Sequence, residues 1–371
     1  MTNKQLLHTP EGVRDIYGLE YKRKLAIQKQ IRTSIASFGY EAIQTPTFEF
    51  FDVFSREVGT TPSKDLYKLI DKDGETLVLR PDFTPSIARC AAKYFMDEVK
   101  PLRFTYEGNT FVNVSHLQGK LKETTQMGAE LILDDSVEAD AELIAMVVSS
   151  LQAAGLTKFQ ISVGHMDYFK GLCEEAGLSA DKEQELREAI SGKNMFAARD
   201  ILDTLDMCPK VREALLEVAD LFGSLQDLSH AKSLVHNPRS VAAIERLEQL
   251  RELLDCYDIA QYVSFDLGML SQYHYYTGIV FKAFTYGIGD AIVKGGRYDK
   301  LLSYFGKEAP AVGFMVIVDD ILEALDRQKI AVPMEEDAVT ITYNKDLFKE
   351  ALALAKTLRA QGQAVILTRE A

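Results

Sequence analysis

Hydrophobic positions along this 371-residue chain follow two different periods. An apolar residue at every third or fourth position is typical of an amphipathic helix, and this spacing predicts helices over residues 19–38, 84–94, 137–154 and 319–328. Alternating polarity among β-branched and aromatic residues is typical of strands, and it predicts strands over residues 41–47, 67–70, 76–79, 103–112, 123–133, 262–267, 276–286, 291–294 and 311–318. Because hairpin-length connections join neighbouring strands and helices separate the groups, we expect an α+β fold built on an antiparallel sheet flanked by helices.

Two segments depart from this pattern. Residues from about 168 to 255 are rich in Leu, Glu, Ala and Lys, and their helical spacing predicts a helical insertion within a core domain of residues 1–330. After a polar linker, residues 338–343, 346–361 and 364–367 predict strand, helix and strand. A unit below roughly 40 residues buries too little apolar surface to be stable alone. We therefore expect residues 336–371, a short and partial α/β segment, to dock on another surface or to be part of a larger domain.

Composition then narrows the class of protein. Apolar residues make up 47% of the chain, which is too much for a disordered protein. No apolar run approaches the ~18–20 residues of a membrane span, and the first residues lack the apolar core of a signal peptide. We therefore expect a cytoplasmic protein with no membrane partner. The net charge of −13 repels phosphates and so disfavours a nucleic-acid partner.

The cysteines do not suggest a metal centre. Cys90, Cys173, Cys208 and Cys256 form no C-x-x-C pair, and no histidine lies at zinc-ligand spacing from them. We expect ordinary thiols in a reducing compartment.

Several short motifs occur in an order that carries a family resemblance. They are Thr9-Pro-Glu-Gly-Val-Arg-Asp, Phe38-Gly-Tyr-Glu-Ala-Ile-Gln-Thr-Pro-Thr-Phe-Glu, Leu79-Arg-Pro-Asp-Phe-Thr-Pro, the strand pair within residues 101–130, Tyr275-Tyr-Thr-Gly, Gly295-Gly-Arg-Tyr-Asp and Ala309-Pro-Ala-Val-Gly-Phe. Any one of them alone could be an ordinary turn or strand. In this order and spacing, the chain resembles class II histidyl-tRNA synthetases over roughly residues 9–325. The resemblance implies that family's fold, with the second motif as its dimer-forming helix and strand.

The resemblance also implies a pocket for histidine. Six residues match the family's positions. Asp82, Thr84 and Gln126 would surround the amino group, Glu130 with Tyr276 would contact the imidazole, and Tyr275 completes the set. An α-ammonium group needs hydrogen-bond acceptors, preferably charged ones, so the residue types fit. Gln126 and Glu130 lie four positions apart and therefore face one side of a strand, where solvated side chains are the alternative. Adjacent tyrosines face opposite sides of a strand, so ordinary aromatic packing is the alternative for that pair.

Four positions depart from the synthetase pattern. Val112 stands where the family has the motif-2 arginine that grips ATP, and Val114 replaces an acidic residue. Asp320 aligns with the motif-3 arginine, and Ser271 aligns with the arginine before the paired tyrosines. Losing three charged hydrogen bonds of about 1.5–3 kcal/mol each would slow adenylation on the order of a thousandfold or more. We therefore expect no catalytic residues, no cofactor and no metal.

A synthetase-like chain without these arginines resembles the regulatory subunits of ATP phosphoribosyltransferase. The C-terminal segment fits this family, because it resembles only the beginning of the synthetase anticodon-binding domain. The resemblance implies a non-catalytic subunit that activates a short-form catalytic subunit in the first step of histidine biosynthesis. It also implies histidine as the feedback effector, and a homodimer within a hetero-octamer.

Three alternatives remain open from the residues alone. They are a working histidyl-tRNA synthetase, a stand-alone module that binds an amino acid or tRNA, and an enzyme that ligates an amino acid to a protein. Lys120 and Lys122, between the strands of the motif-2 hairpin, either contact a phosphate-bearing ligand or are solvated loop residues.

Overall fold

The computed structural model describes residues 7–55, 61–114, 120–223, 225–270, 276–334 and 338–370. The chain divides into two compact units, Met1–Val332 and Pro333–Ala371. The helices are α1 Gly18–Ala36, α2 Thr84–Tyr94, α3 Val137–Ala153, α4 Met166–Glu175, α5 Ala180–Ser191, α6 Met195–Asp203, α7 Pro209–Glu217, α8 Leu225–Ser233, α9 Pro238–Cys256, α10 Val318–Gln328 and α11 Phe348–Ala360. Within the described ranges, none of these helices has both the length and the apolar character that a bilayer crossing requires.

The strands are shorter and more numerous. They are β1 Glu41–Ala42, β2 Phe48–Phe50, β3 Lys68–Ile70, β4 Thr76–Leu79, β5 Leu102–Phe111, β6 Glu123–Ile132, β7 Phe159–His165, β8 Phe222–Gly223, β9 Val263–Asp266, β10 Ile279–Thr285, β11 Val293–Arg297, β12 Ala311–Ile317, β13 Val339–Tyr343 and β14 Val365–Arg369.

In the described part of the first unit, nine strands form one sheet in the order β1-β5-β6-β12-β11-β10-β7-β9-β8. All neighbours from β5 to β7 pair antiparallel, which confirms the predicted α+β fold with its antiparallel sheet. Towards the edges, β1 pairs with β5 and β7 with β9 in parallel. Parallel neighbours need a long crossover connection, and α2 and the helices after β7 lie in those two connections.

The register of the central strands places the residues of the site. Glu130 on β6 lies opposite Gly313 on β12, and Gln126 lies opposite Ile317. Side chains two or four positions apart share one face of a strand. Gln126 and Glu130 therefore project from the same face of the sheet, as their spacing predicts.

Helices α1, α3 and α10 pack together against the central sheet. The apolar stripe predicted for α1 is confirmed, because Ile27, Ile31 and Ile35 have no exposed surface. On the same helix, Lys24 forms a buried ion pair with Asp319 at the start of α10, with 2.7 Å between Nζ and Oδ1. This ion pair connects α1 to the first turn of α10, directly after the end of β12.

Among the described residues between β7 and β9, six helices, α4 to α9, span most of residues 166–256, and the short strand β8 lies between α7 and α8. Apolar side chains such as Leu186, Leu202 and Leu247 are fully buried within them. From α9, the Arg246 guanidinium donates to Asp140 on α3 at 2.8 Å. This helical segment is therefore joined to the sheet-covering helices by a buried ion pair as well as by apolar packing.

A separate three-stranded sheet has the order β2-β4-β3. The hairpin predicted between β3 and β4 is confirmed, since Ile70 pairs with Thr76 in antiparallel register. Asp71 Oδ1 accepts from the amides of Asp73 and Glu75, both at 2.9 Å, and so closes the turn.

The second unit contains two parallel strands, β13 and β14, joined by α11. Ala351 and Ala355 of α11 are buried. Val339, Leu354 and Ile366 keep between 41% and 51% of their surface exposed. The unit thus buries few large side chains, in keeping with its length.

Candidate functional site

A cavity of about 990 Å³ opens on the central sheet of the first unit. Its buried end is lined by Asp82, Thr84, Gln126, Glu130, Tyr276 and Tyr298. Five of the six residues predicted from the sequence therefore meet in one place. The sixth, Tyr275, lies outside the described residues, as does Ser271.

Glu130 lies at the bottom of the buried end and is only 1% exposed. The Thr84 hydroxyl donates to its Oε1 at 2.8 Å, and the Tyr298 hydroxyl donates to its Oε2. Burial raises the pKa of Glu130 to about 8; the two hydroxyl donors oppose that rise, and the charge of Asp82 adds to it. A buried carboxyl held only by hydroxyl groups favours a cationic ligand, which would supply the missing charge.

Two glycines make room for these side chains. A Cβ on Gly313 would overlap the Glu130 carboxylate, which lies directly across from it in the β6–β12 register. A Cβ on Gly296 would come within 2.7 Å of the Tyr276 ring. Both lie in quoted motifs, and their function is to leave space where the carboxylate and the ring cross the sheet.

The structure corrects the strand predicted over residues 276–286, because β10 begins only at Ile279. Tyr276 lies in the segment before β10, and hydrogen bonds of the next residue, Thr277, hold this segment in place. The Thr277 amide donates to the carbonyl oxygen of Arg297, and its hydroxyl donates to Asp299 Oδ2, both at 2.9 Å. These bonds replace a strand ladder and hold the Tyr276 ring against the buried end.

The loop before α2 is held by a buried arginine. The Arg80 guanidinium donates to the carbonyl oxygens of Thr45 and Asn109 at 3.0 and 2.9 Å and lies 4.0 Å from the centre of the Phe83 ring. Phe83 in turn stacks on Tyr106 of β5. This packing fixes the loop that carries Asp82 and Thr84, so their positions do not depend on a bound ligand.

Gln126 is 6% exposed, and its side-chain oxygen Oε1 has no hydrogen-bond partner. Buried acceptors are nearly always satisfied, so an unsatisfied one that lines a cavity indicates a donor supplied by a ligand. An ammonium group is such a donor.

Tyr298 is a site residue that sequence reasoning did not single out, although it lies within the quoted Gly295-Gly-Arg-Tyr-Asp motif. It is 2% exposed, and burial together with the charge of Glu130 raises its pKa well above the usual value for tyrosine. The phenol therefore stays protonated and serves as a hydrogen-bond donor to Glu130.

The outer part of the cavity has a different chemistry. Val112 and Val114 line it, and so does Asp320 at the first turn of α10. Burial, helped by the charges of Asp319, Asp290 and Glu323, raises the pKa of Asp320 to about 6. Across the described residues, no group of three or more His, Cys, Asp or Glu side chains is arranged to hold a metal ion.

Four cationic side chains line the described part of the cavity, and each has a carboxylate partner. The Arg14–Glu20 pair is 2.5 Å long, Lys120 and Lys294 lie 2.9 and 3.8 Å from Asp290, and Arg327 pairs with Glu323. Lys120 is therefore in an ion pair on the cavity rim. Lys122 donates its backbone amide to the carbonyl oxygen of Gly12 at 2.8 Å.

Residues 12–321 match the family model described as histidyl-tRNA synthetase. An ATP phosphoribosyltransferase regulatory subunit from Acetivibrio thermocellus is 39% identical over 359 residues, which is 97% of this chain and 86% of that protein. A protein of the same name from Clostridium kluyveri is 38% identical over 357 residues, covering 96% of this chain and 91% of that protein.

Solved structures agree with these sequence relationships. An ATP phosphoribosyltransferase regulatory subunit/histidyl-tRNA synthetase from Bacillus halodurans is 33% identical with a TM-score of 0.89, covering 98% of this chain and 93% of that one. A histidyl-tRNA synthetase from Nostoc sp. is 20% identical with a TM-score of 0.82, covering 98% and 86%, and shows the shared fold alone. The chain therefore belongs to the histidyl-tRNA synthetase family and, within it, to the ATP phosphoribosyltransferase regulatory subunits.

Proposed function

We propose that this chain is a non-catalytic subunit that binds histidine in the buried end of the cavity and regulates a short-form ATP phosphoribosyltransferase catalytic subunit. In this proposal it activates the catalytic subunit when histidine is scarce and transmits feedback inhibition when histidine binds. Histidine can act in this way only by binding one state of the assembly better than the other. Histidine biosynthesis is then the pathway, and the cytoplasm is the compartment.

The observation that carries the proposal is the set of acceptors at the buried end. Asp82, Thr84 and the unsatisfied Gln126 oxygen offer acceptors for an α-ammonium group. In this proposal, Glu130 and Tyr276, which line the same buried end, contact the imidazole. Imidazole is the one side chain that gains a proton near neutral pH, so it suits a carboxyl that lacks a cationic partner.

The outer part supports a binding role without adenylation. Adenylation develops negative charge on the α-phosphate, which needs a preorganised cation beside it. Val112 and Asp320 stand at the two positions where the family resemblance implies the synthetase arginines. The cations that line the described cavity are already paired with carboxylates, and the half-buried Asp320 adds repulsion.

An exposed apolar face supports the homodimer within a hetero-octamer. Phe50, Leu77 and Leu69 align across the three-stranded sheet, and Phe50 keeps 57% of its surface exposed. Phe48 lies beside them on the same face, next to Leu79. Contiguous apolar patches of this kind mark protein–protein contacts. We propose that a second copy of this chain packs here, and Phe50→Glu should then yield monomers in analytical ultracentrifugation.

Histidine binding is tested directly by calorimetry on the purified chain. We expect L-histidine to bind with one site per chain and Glu130→Gln to weaken binding at least about tenfold, because the amide cannot pair with an imidazolium. Glu252→Gln, the same change on the exposed surface of α9, is the matched control and should bind like the wild type. Unaltered affinity in Glu130→Gln would remove Glu130 from the site.

Regulation is tested by mixing the chain with the catalytic subunit. The rate of phosphoribosyl transfer should rise on mixing and fall again when L-histidine is added, and Glu130→Gln should retain activation while losing the response to histidine. A histidine-dependent exchange of pyrophosphate into ATP by the chain alone would instead indicate a working synthetase.

A further inference from the structure

The cavity is larger than its buried end requires. Its volume of about 990 Å³ lies at the upper limit of the roughly 300–1,000 Å³ typical of small-molecule sites, which accommodate ligands larger than one amino acid. The acidic groups of the buried end, Asp82 and Glu130, would repel a carboxylate, so the carboxyl group of a ligand bound there by its amino group and imidazole belongs on the side of the outer part. The chemistry of the outer part therefore decides what the carboxyl carbon can carry.

The outer part is poor in positive charge that could meet a carboxylate. The acidic residues around the described cavity are Glu20, Asp65, Asp82, Glu130, Asp290, Asp319, Asp320, Glu323 and Asp326, against the four cations Arg14, Lys120, Lys294 and Arg327. Those four cations each lie within 4.0 Å of a carboxylate. A ligand carboxylate would have to compete with a protein carboxylate for each of them.

The pKa of Asp320 indicates that the electrostatic environment of the outer part disfavours negative charge. This pKa is raised to about 6 by burial and by the carboxylates of Asp319, Asp290 and Glu323, while Lys294 opposes that shift only in part. An environment that disfavours the ionised form of Asp320 also disfavours the carboxylate of a ligand bound beside it. Val112 and Val114 add apolar surface to the same part and offer no side-chain donor.

A second observation at the other end of the cavity indicates what the ligand must bring. The Gln126 side chain is 94% buried, lines the cavity and leaves its Oε1 without a partner, so it requires a donor. Glu130 likewise accepts from Thr84 and Tyr298, and it forms no ion pair with a cation among the described residues. Both ends of the cavity thus favour positive charge.

On these observations we infer that the cavity recognises the amino group and imidazole of its ligand but not a free carboxylate, so that its ligands include histidine derivatives whose carboxyl group is masked as an amide or ester. The inference rests on the proposed histidine site and specifies the ligand class of that same site. A peptide bond is such a mask.

The test compares L-histidine with L-histidinamide by calorimetry at pH 7.0, where most of each α-amino group carries a proton. We expect histidinamide to bind between equally and about tenfold more tightly than histidine, because amidation removes the negative charge of the carboxylate. Weaker binding of histidinamide than of histidine would overturn the inference while leaving the histidine site intact. If neither compound binds, the proposed function itself fails.

Variants that change the charge of Asp320 test whether the outer part causes the preference for histidinamide over histidine. Asp320→Lys should shift the ratio of the two affinities about tenfold towards histidine, and Asp320→Asn should shift it about threefold in the same direction. The matched control is Asp255→Lys, which makes the same charge change on exposed α9 and should leave the ratio unaltered. Because the ratio is measured within one protein, a modest loss of stability in a variant does not affect it. An unchanged ratio in both Asp320 variants would overturn the assignment.

Discussion

The two ends of the cavity differ in how their side chains are held. At the buried end, two hydroxyl groups donate to Glu130, and Gly313 leaves the space that its carboxylate occupies. The side-chain oxygen of Gln126 has no hydrogen-bond donor. At the outer part, charged side chains such as Lys120 and Arg327 are exposed and already paired. A preorganised set of acceptors recognises a particular ligand, whereas exposed ion pairs contribute little binding energy.

Under the proposed function, the buried end provides recognition and the outer part does not support adenylation. Glu130 and Gln126 lie on a central strand, and Asp82 lies on a loop fixed by Arg80, so the fold itself maintains the buried end. The positions of Val112 and Asp320 lie at strand and helix ends, where substitution changes charge without disturbing the core. Catalytic groups at such positions are therefore easier to lose than the pocket is.

The largest effect should follow from filling the space above Glu130. Gly313→Ala places a methyl group where the Glu130 carboxylate lies, so histidine affinity should fall by more than about a hundredfold. Calorimetry measures the loss, and circular dichroism checks that the sheet persists. Gly289→Ala is the matched control, since it also lines the cavity but has open space around its Cβ. Equal affinities in the two variants would mean that the buried end does not bind histidine.

The next prediction concerns the dependence of stability on pH. The pKa of Glu130 is about 8 in the folded chain and roughly 4.3 when unfolded, so between these values the native state binds more protons than the unfolded state. Stability contributed at this position is therefore greatest at low pH and falls as pH rises towards 8. Relative to Glu130→Gln, the wild type should lose about 2–4 kcal/mol of unfolding free energy between pH 5 and 8.

Urea unfolding of both proteins without ligand, at unit intervals from pH 5 to 9, measures this difference. Glu252→Gln supplies the baseline for an exposed glutamate and should follow the wild type throughout. Parallel curves for the wild type and Glu130→Gln would contradict a neutral, buried Glu130.

A smaller effect is expected at Tyr298. Tyr298→Phe removes the hydroxyl that donates to Glu130, so the pKa of that carboxyl should rise further and histidine affinity should fall about tenfold. Calorimetry at pH 7 and 9 separates the two causes, because a raised pKa makes the loss depend on pH. Tyr94→Phe, at an exposed tyrosine, should bind histidine normally. A loss of the same size at both pH values would indicate packing alone.

Local patterns predicted much of this molecule correctly. The stripe of Ile27, Ile31 and Ile35 and the turn at Asp71 depend on residues close in sequence, and the structure confirms both. The four-residue spacing of Gln126 and Glu130 also predicted correctly that they share one face of β6. These features follow from the geometry of single helices, turns and strands.

Contacts between distant segments escaped the same reasoning. Tyr298 reaches Glu130 from 168 residues away, and Gly313 faces it only because of the register between β6 and β12. Lys120 meets Asp290 across a gap of 170 residues, so its sequence could not decide between a phosphate contact and solvent. Strand register is a property of the whole sheet, and a single strand's pattern does not determine it.

The smallest predicted effect is that of removing Lys120 from the outer part of the cavity. Lys120 is exposed and lies 2.9 Å from Asp290, and an exposed ion pair contributes about 0–1 kcal/mol. Lys120→Ala should therefore change histidine affinity less than about twofold, as should Lys72→Ala in the β3–β4 turn. If Lys120 instead held the histidine carboxylate, its removal would weaken histidine about tenfold and leave histidinamide unaffected. Because only a carboxylate contact distinguishes those two ligands, that selective loss would overturn the view that the outer part ignores the carboxyl group.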